Sequence, residues 1–227
     1  MLKTLCGLAG SVLAGLLING VAKAGLIING NFEQPYTSST QTVSAPDTIP
    51  GWAVTAGAVE IVNTSVWQAY ASTQSLGLVG NQTSSAIGQS FATTAGTTYT
   101  LTFAYANNPI ESPSALATAD VIVRGTGNLL LMESISHSSS TSPTDMNWTI
   151  FSAKFTADST LTDLTFSSPA LGSSNGWIVL DHVNVTPEPA SITLFSAIGA
   201  SLLCFGRLRK KASREIPQAG TDHTDSG

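Results

Sequence analysis

The stretch TYTLTFAYA, residues Thr98–Ala106, decides the fold of this chain of 227 residues. Large side chains alternate along it with small ones, and the large ones are Tyr99, Leu101, Phe103 and Tyr105. A repeat of two residues places alternate side chains on opposite faces of an extended strand, whereas a helix repeats about every 3.6 residues. The stretch therefore predicts a β-strand that buries one face in a core and turns its threonines to the other side.

The same alternation recurs further along the chain, interrupted by Gly, Pro, Asn and Ser. It is found in WTIFSAKFT (148–156), TLTDLTF (160–166) and WIVLDHVNV (177–185). ADVIVRGTGNLLLME (119–133) predicts a hairpin that turns about Gly125–Gly127. Residues 25–186 contain no segment of helical period, and both cysteines, Cys6 and Cys204, lie outside them. We therefore expect one all-β antiparallel sandwich without disulfide bonds over residues 25–186.

The N-terminus predicts a secretory signal peptide over residues 1–24. Lys3 is followed by a mostly apolar stretch and then by Ala22-Lys23-Ala24, an A-x-A cleavage site. A permanent transmembrane anchor is the alternative, and Asn19 and the glycines at positions 7, 10 and 15 argue against it. We expect cleavage after Ala24, which leaves a mature chain that starts at Gly25.

The C-terminus predicts a transmembrane helix over residues 190–206. These 17 residues carry no charge, and as a helix they would reach roughly 25 Å, the short end of what crosses a bilayer. The basic side chains that follow are Arg207, Arg209, Lys210 and Lys211. Positive residues stay in the cytoplasm, so the sandwich would lie outside and residues 212–227 would form a disordered cytoplasmic tail. A buried core helix is the alternative, which the basic cluster disfavours.

Pro187, Glu188 and Pro189 come just before the apolar run. Two prolines about one residue oppose continuation of a helix or strand, so we expect an extended strip that a processing enzyme can reach. Prolines, apolar run and basic cluster over residues 186–211 resemble the PEP-CTERM sorting signal of Gram-negative bacteria. The resemblance implies that an exosortase, a membrane cysteine protease, cuts near the motif and passes an inner-membrane intermediate to the cell surface or extracellular matrix. One departure is that 16 residues follow Lys211, where such signals usually end.

Charge is divided unevenly along the chain. Residues 25–186 hold two basic side chains, Arg124 and Lys154, against ten acidic ones, which gives 2 − 10 = −8. Phosphate binding depends on Lys and Arg, so this balance argues against a nucleic-acid partner.

Phrases of the sandwich region resemble the choice-of-anchor C family of bacterial surface proteins. That family is related to plant cell-wall proteins of unknown function and to carbohydrate-binding modules of the galactose-binding-like jelly-roll type. The resemblance implies a jelly-roll β-sandwich and glycan or exopolysaccharide binding, without naming a sugar. The phrases are IINGNFEQP (27–35), IPGWAVTAGAVEIV (49–62), IGQSFATTAGTTYTLTFAYANNP (87–109), FTADSTLTDLTFSS (155–168) and VLDHVNV (179–185).

We do not expect an enzyme. Residues 172–176 match G-x-S-x-G, but a nucleophile elbow needs a strand before the motif and a helix after it, and here a loop precedes and a strand follows. Asp181 and His182 are neighbours on one predicted strand, so they point to opposite faces and cannot act together behind a serine. A pair of carboxylates for glycoside hydrolysis stays open in principle, although the sequence singles out no pair.

Two function classes remain: a glycan-binding module, and a structural or adhesion protein of the extracellular matrix with no defined ligand. Aromatic residues distinguish them, because sugar sites stack pyranose rings on exposed aromatic faces. Trp52 follows a Pro-Gly turn, and we expect it in the core, as we do Trp148 and Trp177 at strand starts. Trp67 and Tyr70 lie off any clear strand and are the candidate ligand-binding residues.

The last strand predicts a structural calcium ion. Its alternation puts Asp181 on one face with Trp177, Val179, Val183 and Val185. A lone buried carboxylate costs several kcal/mol unless it is paired or coordinated, and the region offers two cations only.

The family resemblance implies the ligands of this ion. Related carbohydrate-binding sandwiches bring a first-strand Glu and a last-strand Asp together around calcium, and Glu33 and Asp181 occupy the matching positions. Asn29 and Asn31 could add carbonyl oxygens, which calcium prefers. The alternative is that Asp181 turns outward at a strand kink with His182 inward.

Overall fold

The computed structural model describes residues 25–79, 84–110, 116–138, 140–169 and 176–189. The predicted signal peptide, the apolar run 190–206, the basic cluster and the tail 212–227 lie outside these ranges. Contacts divide the chain into two units, Met1–Pro187 and Glu188–Gly227. Within the described ranges, no helix has the length and apolar character needed to span a membrane.

The described residues form twelve β-strands in two six-stranded antiparallel sheets, which confirms the all-β sandwich. In sheet A the spatial order is β1-β4-β5-β12-β7-β10, and in sheet B it is β2-β3-β6-β11-β8-β9. The strands, numbered β1 to β12 along the chain, are Thr40–Ser44, Thr48–Ile49, Trp52–Ala56, Ala58–Asn63, Gln74–Val79, Ser85–Ala92, Thr98–Asn107, Ala117–Arg124, Leu129–His137, Thr149–Thr156, Leu161–Ser168 and Ile178–Pro187.

Strand β7 lies inside sheet A between β12 and β10. Its predicted alternation is confirmed, because Tyr99, Leu101 and Phe103 are buried between the sheets and Tyr105 packs against the same cluster. The predicted hairpin is also confirmed: β8 pairs with β9, and Gly127 in the turn takes a φ of 92°.

Aromatic rings connect the two sheets across the interior. Phe103 of β7 meets Phe166 of β11 edge-on, with ring centroids 5.0 Å apart. Trp52 lies 6.1 Å from Phe166 and 5.5 Å from Phe32, and it is 2% exposed. The indole Nε1–H of Trp52 donates to the backbone oxygen of Asn29 (3.2 Å). Trp52 is therefore a core residue, as predicted.

Strand β12 departs from the predicted alternation. Its register against β7 shifts between Asp181 and Asn184, and His182 takes a φ of 54°. This β-bulge adds a residue, which reverses the faces that follow it. Ile178, Leu180, Val183 and Val185 consequently share the interior cluster. The prediction that Asp181 shares one face with Val183 and Val185 is wrong for this reason.

A second apolar group, here called the outer cluster, lies on the outer face of sheet A. It contains Val62, Trp67, Ala106, Met146, Trp177 and Val179, with Val66 and Trp148 packed against it. Trp177 is a core residue of this cluster, as predicted, and Trp148 is half-buried at its margin.

The first proline of the PEP motif is the last residue of β12. Pro187 pairs with Tyr99 of β7, so the expectation that the prolines exclude strand structure is wrong for Pro187. A proline is tolerated at a strand end because it lacks only the donor N–H. The extended strip starts after Pro187 at the earliest.

We predict that a fragment of residues 25–184 is less stable than the fragments 25–187 and 25–189. The shorter fragment loses Val185, which is fully buried and accepts the Leu26 N–H at 3.0 Å. Losing a buried valine and the strand end should cost about 2 kcal/mol or more. Urea unfolding of the three fragments measures the difference, and equal stabilities would contradict the boundary.

Candidate functional site: an aromatic surface beside a polar pocket

Tyr70 presents an exposed aromatic ring that is nevertheless held in place. Its side chain is 45% exposed. The ring meets Trp148 edge-on at 6.1 Å and His182 at 5.8 Å. We call Tyr70, Trp148 and His182 the aromatic surface. A ring fixed by two neighbours loses little conformational entropy when a ligand stacks on it.

Two carboxylates hold the backbone that carries Tyr70. The N–H of Ala71 donates to Asp181 Oδ2 at 2.8 Å. The N–H groups of Thr73 and Gln74 donate to Glu33 Oε1 at 2.9 and 2.8 Å. The connection between β4 and β5, residues 64–73, is thereby tied to the bulge of β12 and to the segment before β1.

Asp181 is fully buried, and burial raises its pKa from 3.8 to about 7. The N–H groups of Ala71, His182 and Tyr70 favour the ionised form and partly oppose this rise, while the nearby Glu33 carboxylate adds to it. No ion pair with a described residue compensates the charge. The predicted burial of this carboxylate is therefore found, and the connection between β4 and β5 covers it on the outer face of sheet A.

His182 is exposed at the bulge and connects the aromatic surface to a polar pocket. Its Nδ1 lies 3.0 Å from Asn31 Oδ1. The segment of residues 25–30 runs beside β12 here, since Leu26 N–H donates to Val185 O and Val183 N–H to Gly30 O. The resulting polar pocket has a volume of about 450 Å³, and its polar side chains are Asn29, Asn31, Glu33, Gln34, His182 and Asn184.

The structure contradicts the prediction that Trp67 is a stacking residue. Trp67 is 3% exposed within the outer cluster, and its Nε1–H donates to the buried Ser75 Oγ at 2.9 Å. The connection folds back over sheet A, so Trp67 packs against the sheet while Tyr70, three residues later, faces outward. An indole with both faces packed offers no surface to a sugar.

The four predicted calcium ligands are not gathered in one cluster. Glu33 and Asp181 lie close enough to interact electrostatically. Asn29 is engaged elsewhere, because its Oδ1 accepts the Gln34 N–H and its backbone oxygen accepts the Phe32 and Trp52 donors. Asn31 Oδ1 faces His182. Within the described ranges, no three His, Cys, Asp or Glu side chains form a group suited to a metal. The carboxylate oxygens of Glu33 and Asp181 accept N–H and O–H groups of the protein, so the predicted calcium site stays a prediction.

No catalytic arrangement of Asp181 and His182 is found in the described residues. The Asp181 carboxylate accepts backbone N–H groups, including that of His182 itself, and the His182 ring points instead to Asn31 and Tyr70. The predicted separation of the two side chains is confirmed. Most of the G-x-S-x-G segment, residues 172–175, lies outside the described ranges.

A larger cavity of about 770 Å³ lies on the outer face of sheet B. It is lined by hydroxyl and small side chains, with Arg124 and Asp163 at one end. Its one aromatic residue, Trp52, is buried, so this cavity lacks an exposed ring for stacking. The smaller pocket beside Tyr70 is the better candidate because an aromatic surface and polar side chains meet there.

Sequence analysis missed two members of the site. Trp148 was placed in the core, and His182 entered only as the neighbour of Asp181. The signal for His182 was the imperfect alternation of WIVLDHVNV, which suits a bulge. Trp148 carries no such signal, because its contact with Tyr70 depends on how two distant loops fold.

We predict that, with calcium chelated, the sandwich is less stable at pH 8 than at pH 5 through Asp181. Its pKa is raised in the folded state, so between about pH 4 and pH 7 the folded chain keeps a proton that the unfolded chain has lost. Stability from this group is thus present at low pH and is lost as pH rises, by up to about 4 kcal/mol.

Urea unfolding at both pH values measures this effect, with Asp181→Asn as the control. The variant lacks the titration, so its stability should change less between pH 5 and pH 8. Equal pH dependence in the two proteins would show that Asp181 does not carry a raised pKa.

Several solved structures are similar to the described sandwich at low sequence identity. TmCBM61 in complex with β-1,4-galactotriose gives a TM-score of 0.48 at 14% identity, covering 73% of this chain and 100% of that chain. The CBM22-1 xylan-binding domain from Paenibacillus barcinonensis gives 0.45 at 17%, covering 66% and 95%. An arabinose-bound α-L-arabinofuranosidase gives 0.45 at 14%, covering 72% of this chain and 26% of the enzyme. These similarities concern the fold alone.

No curated protein sequence matches the chain significantly. One family model, described as a protein of unknown function, matches the whole sandwich region from residue 25 to residue 186. This match spans well over half of the chain, and the protein therefore belongs to the DUF642 family.

Proposed function

We propose that the sandwich binds glycan through the aromatic surface and the polar pocket. The observation that carries the proposal is the ring of Tyr70, which is 45% exposed and held by Trp148 and His182. An exposed aromatic ring that is held in a fixed position offers a face on which a pyranose stacks. Exopolysaccharide is the partner that this proposal favours.

The polar pocket supplies the hydrogen bonds that such a ligand needs. Ligand sites combine apolar contact area with a few polar groups that fix orientation. The His182 Nε2 and the Asn31 Nδ2 have no hydrogen-bond partner among the described residues. His182 contacts the Tyr70 ring and Asn31 contacts His182, so we propose that a sugar stacked on the ring meets these donors and acceptors.

The proposed setting is the cell surface or the extracellular matrix. What supports it is the sequence: the apolar N-terminal segment with Ala22-Lys23-Ala24, and the PEP motif with its apolar run and basic cluster. We propose that the chain is exported, held in the inner membrane through residues 190–206, and released by an exosortase. Membership of the choice-of-anchor C group within DUF642 belongs to the same proposal.

Calcium is proposed as a structural ion between Glu33 and Asp181. A divalent cation would compensate the buried charge of Asp181 and keep it ionised. Added calcium should therefore stabilise the wild type more at pH 8 than at pH 5 in the urea experiment described above. An equal effect of calcium on Asp181→Asn would contradict a site at this carboxylate.

A structural matrix protein without a defined ligand is the second candidate. The outer cluster favours it, because Tyr70 also covers part of Trp148 and could serve packing alone. Loss of the Tyr70 ring should weaken glycan binding if the first candidate is correct, and it should leave binding unchanged if the second is correct.

We predict that Tyr70→Ala weakens binding to a retained glycan about tenfold, which corresponds to the loss of one ring contact. The thermal melt should change little because the ring is half exposed. Binding is measured on the first glycan of an array that retains the wild type.

Tyr36→Ala is the matched control, since Tyr36 is 71% exposed and lies outside the aromatic surface. It should leave binding unchanged. Trp67→Ala should instead lower the stability by about 3–5 kcal/mol, as for a buried indole. Unchanged binding by Tyr70→Ala would contradict the proposed site and favour the matrix candidate.

We predict that protein recovered from the cell surface lacks residues 1–24 and everything beyond the PEP region. Intact-mass measurement determines both ends. The new C-terminus should not fall before Pro187, because a protease would have to detach β12 from β7 to cut earlier. Released protein that still carries Arg207–Lys211 would contradict the sorting proposal.

A further inference from the structure

The polar pocket is lined without any Lys or Arg side chain. Its charged member is Glu33, and its other polar side chains are amides and one imidazole. The two cations of the region are elsewhere: Arg124 lies on β8 in sheet B, and Lys154 lies on β10. A sulfate or carboxylate that entered the pocket would thus find no side-chain cation within it to offset its charge.

A second carboxylate, that of Asp181, lies close to the Glu33 carboxylate of the pocket. Glu33 is fixed there by the N–H groups of Thr73 and Gln74 and by the Thr73 hydroxyl. Asp181 lies at the adjacent bulge and interacts with it electrostatically. Residues 25–186 carry ten acidic against two basic side chains, so the long-range field of this region repels polyanions.

Gly25 also lines the pocket, and its charge depends on processing. Cleavage after Ala24 would place an α-amino group at Gly25. The α-ammonium group of Gly25 and the Glu33 carboxylate would carry opposite charges in the same lining, so the lining of the processed chain would have no net positive charge.

We infer that the polar pocket selects uncharged polysaccharides and discriminates against those that carry uronate or sulfate groups. The inference rests on the proposed glycan binding and names the class of glycan. Amide groups are suited to this task, because each Asn or Gln offers both donors and an acceptor to sugar hydroxyls. The absence of a side-chain cation from this lining, together with the net acidity of residues 25–186, supplies the discrimination against anions.

The test compares neutral polymers with carboxymethylated derivatives of the same backbone: dextran, starch and hydroxyethyl cellulose against carboxymethyl dextran, starch and cellulose. The full chain in a neutral detergent is run by affinity gel electrophoresis through each polymer. We expect binding to the charged derivative to be about three- to tenfold weaker at 20 mM salt. The difference in binding between the neutral and the charged polymer should become smaller at about 1 M salt, where charges are screened beyond about 3 Å.

Gln34→Lys tests the origin of this selectivity. Gln34 is exposed and lines the pocket, and its backbone contacts with Asn29 do not involve its side chain. The added cation should weaken or reverse the preference for the neutral polymer over its charged derivative at low salt. Gln41→Lys, the same exposed substitution on β1 outside the pocket, changes the net charge equally and should leave the preference unchanged.

The outcomes separate the two proposals. Wild type that binds a charged derivative as tightly as its neutral parent at low salt overturns the inference and leaves glycan binding intact. Equal effects of Gln34→Lys and Gln41→Lys also overturn it, because the selectivity would then follow net charge and not the pocket. Retardation by none of the polymers contradicts the proposed function and, with it, the inference.

Discussion

The bulge in β12 is the constraint on which both the core and the candidate site depend. Up to Leu180 the strand alternates regularly, and after the bulge Val183 and Val185 return to the interior cluster. Asp181 is the last residue before the bulge and lies on the outer face, and His182 is the extra residue. Asp181 turns its carboxylate to the connection that carries Tyr70, while His182, in a left-handed conformation, reaches Tyr70 and Asn31. Bulges commonly reorient side chains at functional positions in this way.

The connection between β4 and β5 shows how stability and presentation are coupled. Trp67 fixes it to sheet A from one side, and the carboxylates of Asp181 and Glu33 fix its backbone from the other. Each carboxylate accepts N–H groups that otherwise would have no partner in a non-regular segment, and such satisfied buried groups favour a single conformation. The position of Tyr70 is consequently determined by the core of the sandwich and not by the loop alone.

Much of the fold follows from the sequence because its strands bury one face each. The alternation of Tyr99, Leu101 and Phe103 and the hairpin about Gly127 are local signals, and both are confirmed. The short strands β1 and β2 carry no such local signal, because they lie in a stretch rich in Ser, Thr and Pro that resembles a loop.

The site was predicted less completely, for a physical reason. Tyr70 and Trp67 have similar sequence surroundings, and only the tertiary packing of their connection buries one ring and exposes the other. The bulge likewise depends on the pairing of β12 with β7, which no single segment encodes. Predictions that rest on strict alternation therefore fail first where a strand is irregular, and here that is where the candidate site lies.

The most direct test of this account is a map of ligand contacts by nuclear magnetic resonance. A neutral polysaccharide fragment that the protein retains is titrated into the isotope-labelled sandwich, and backbone amide shifts are followed. The largest shifts are predicted at His182, which contacts the Tyr70 ring, at Ala71, which follows Tyr70, and at Asn31, which contacts His182. Shifts confined to Gly88, Arg124 and Thr165, around the cavity on sheet B, would contradict it.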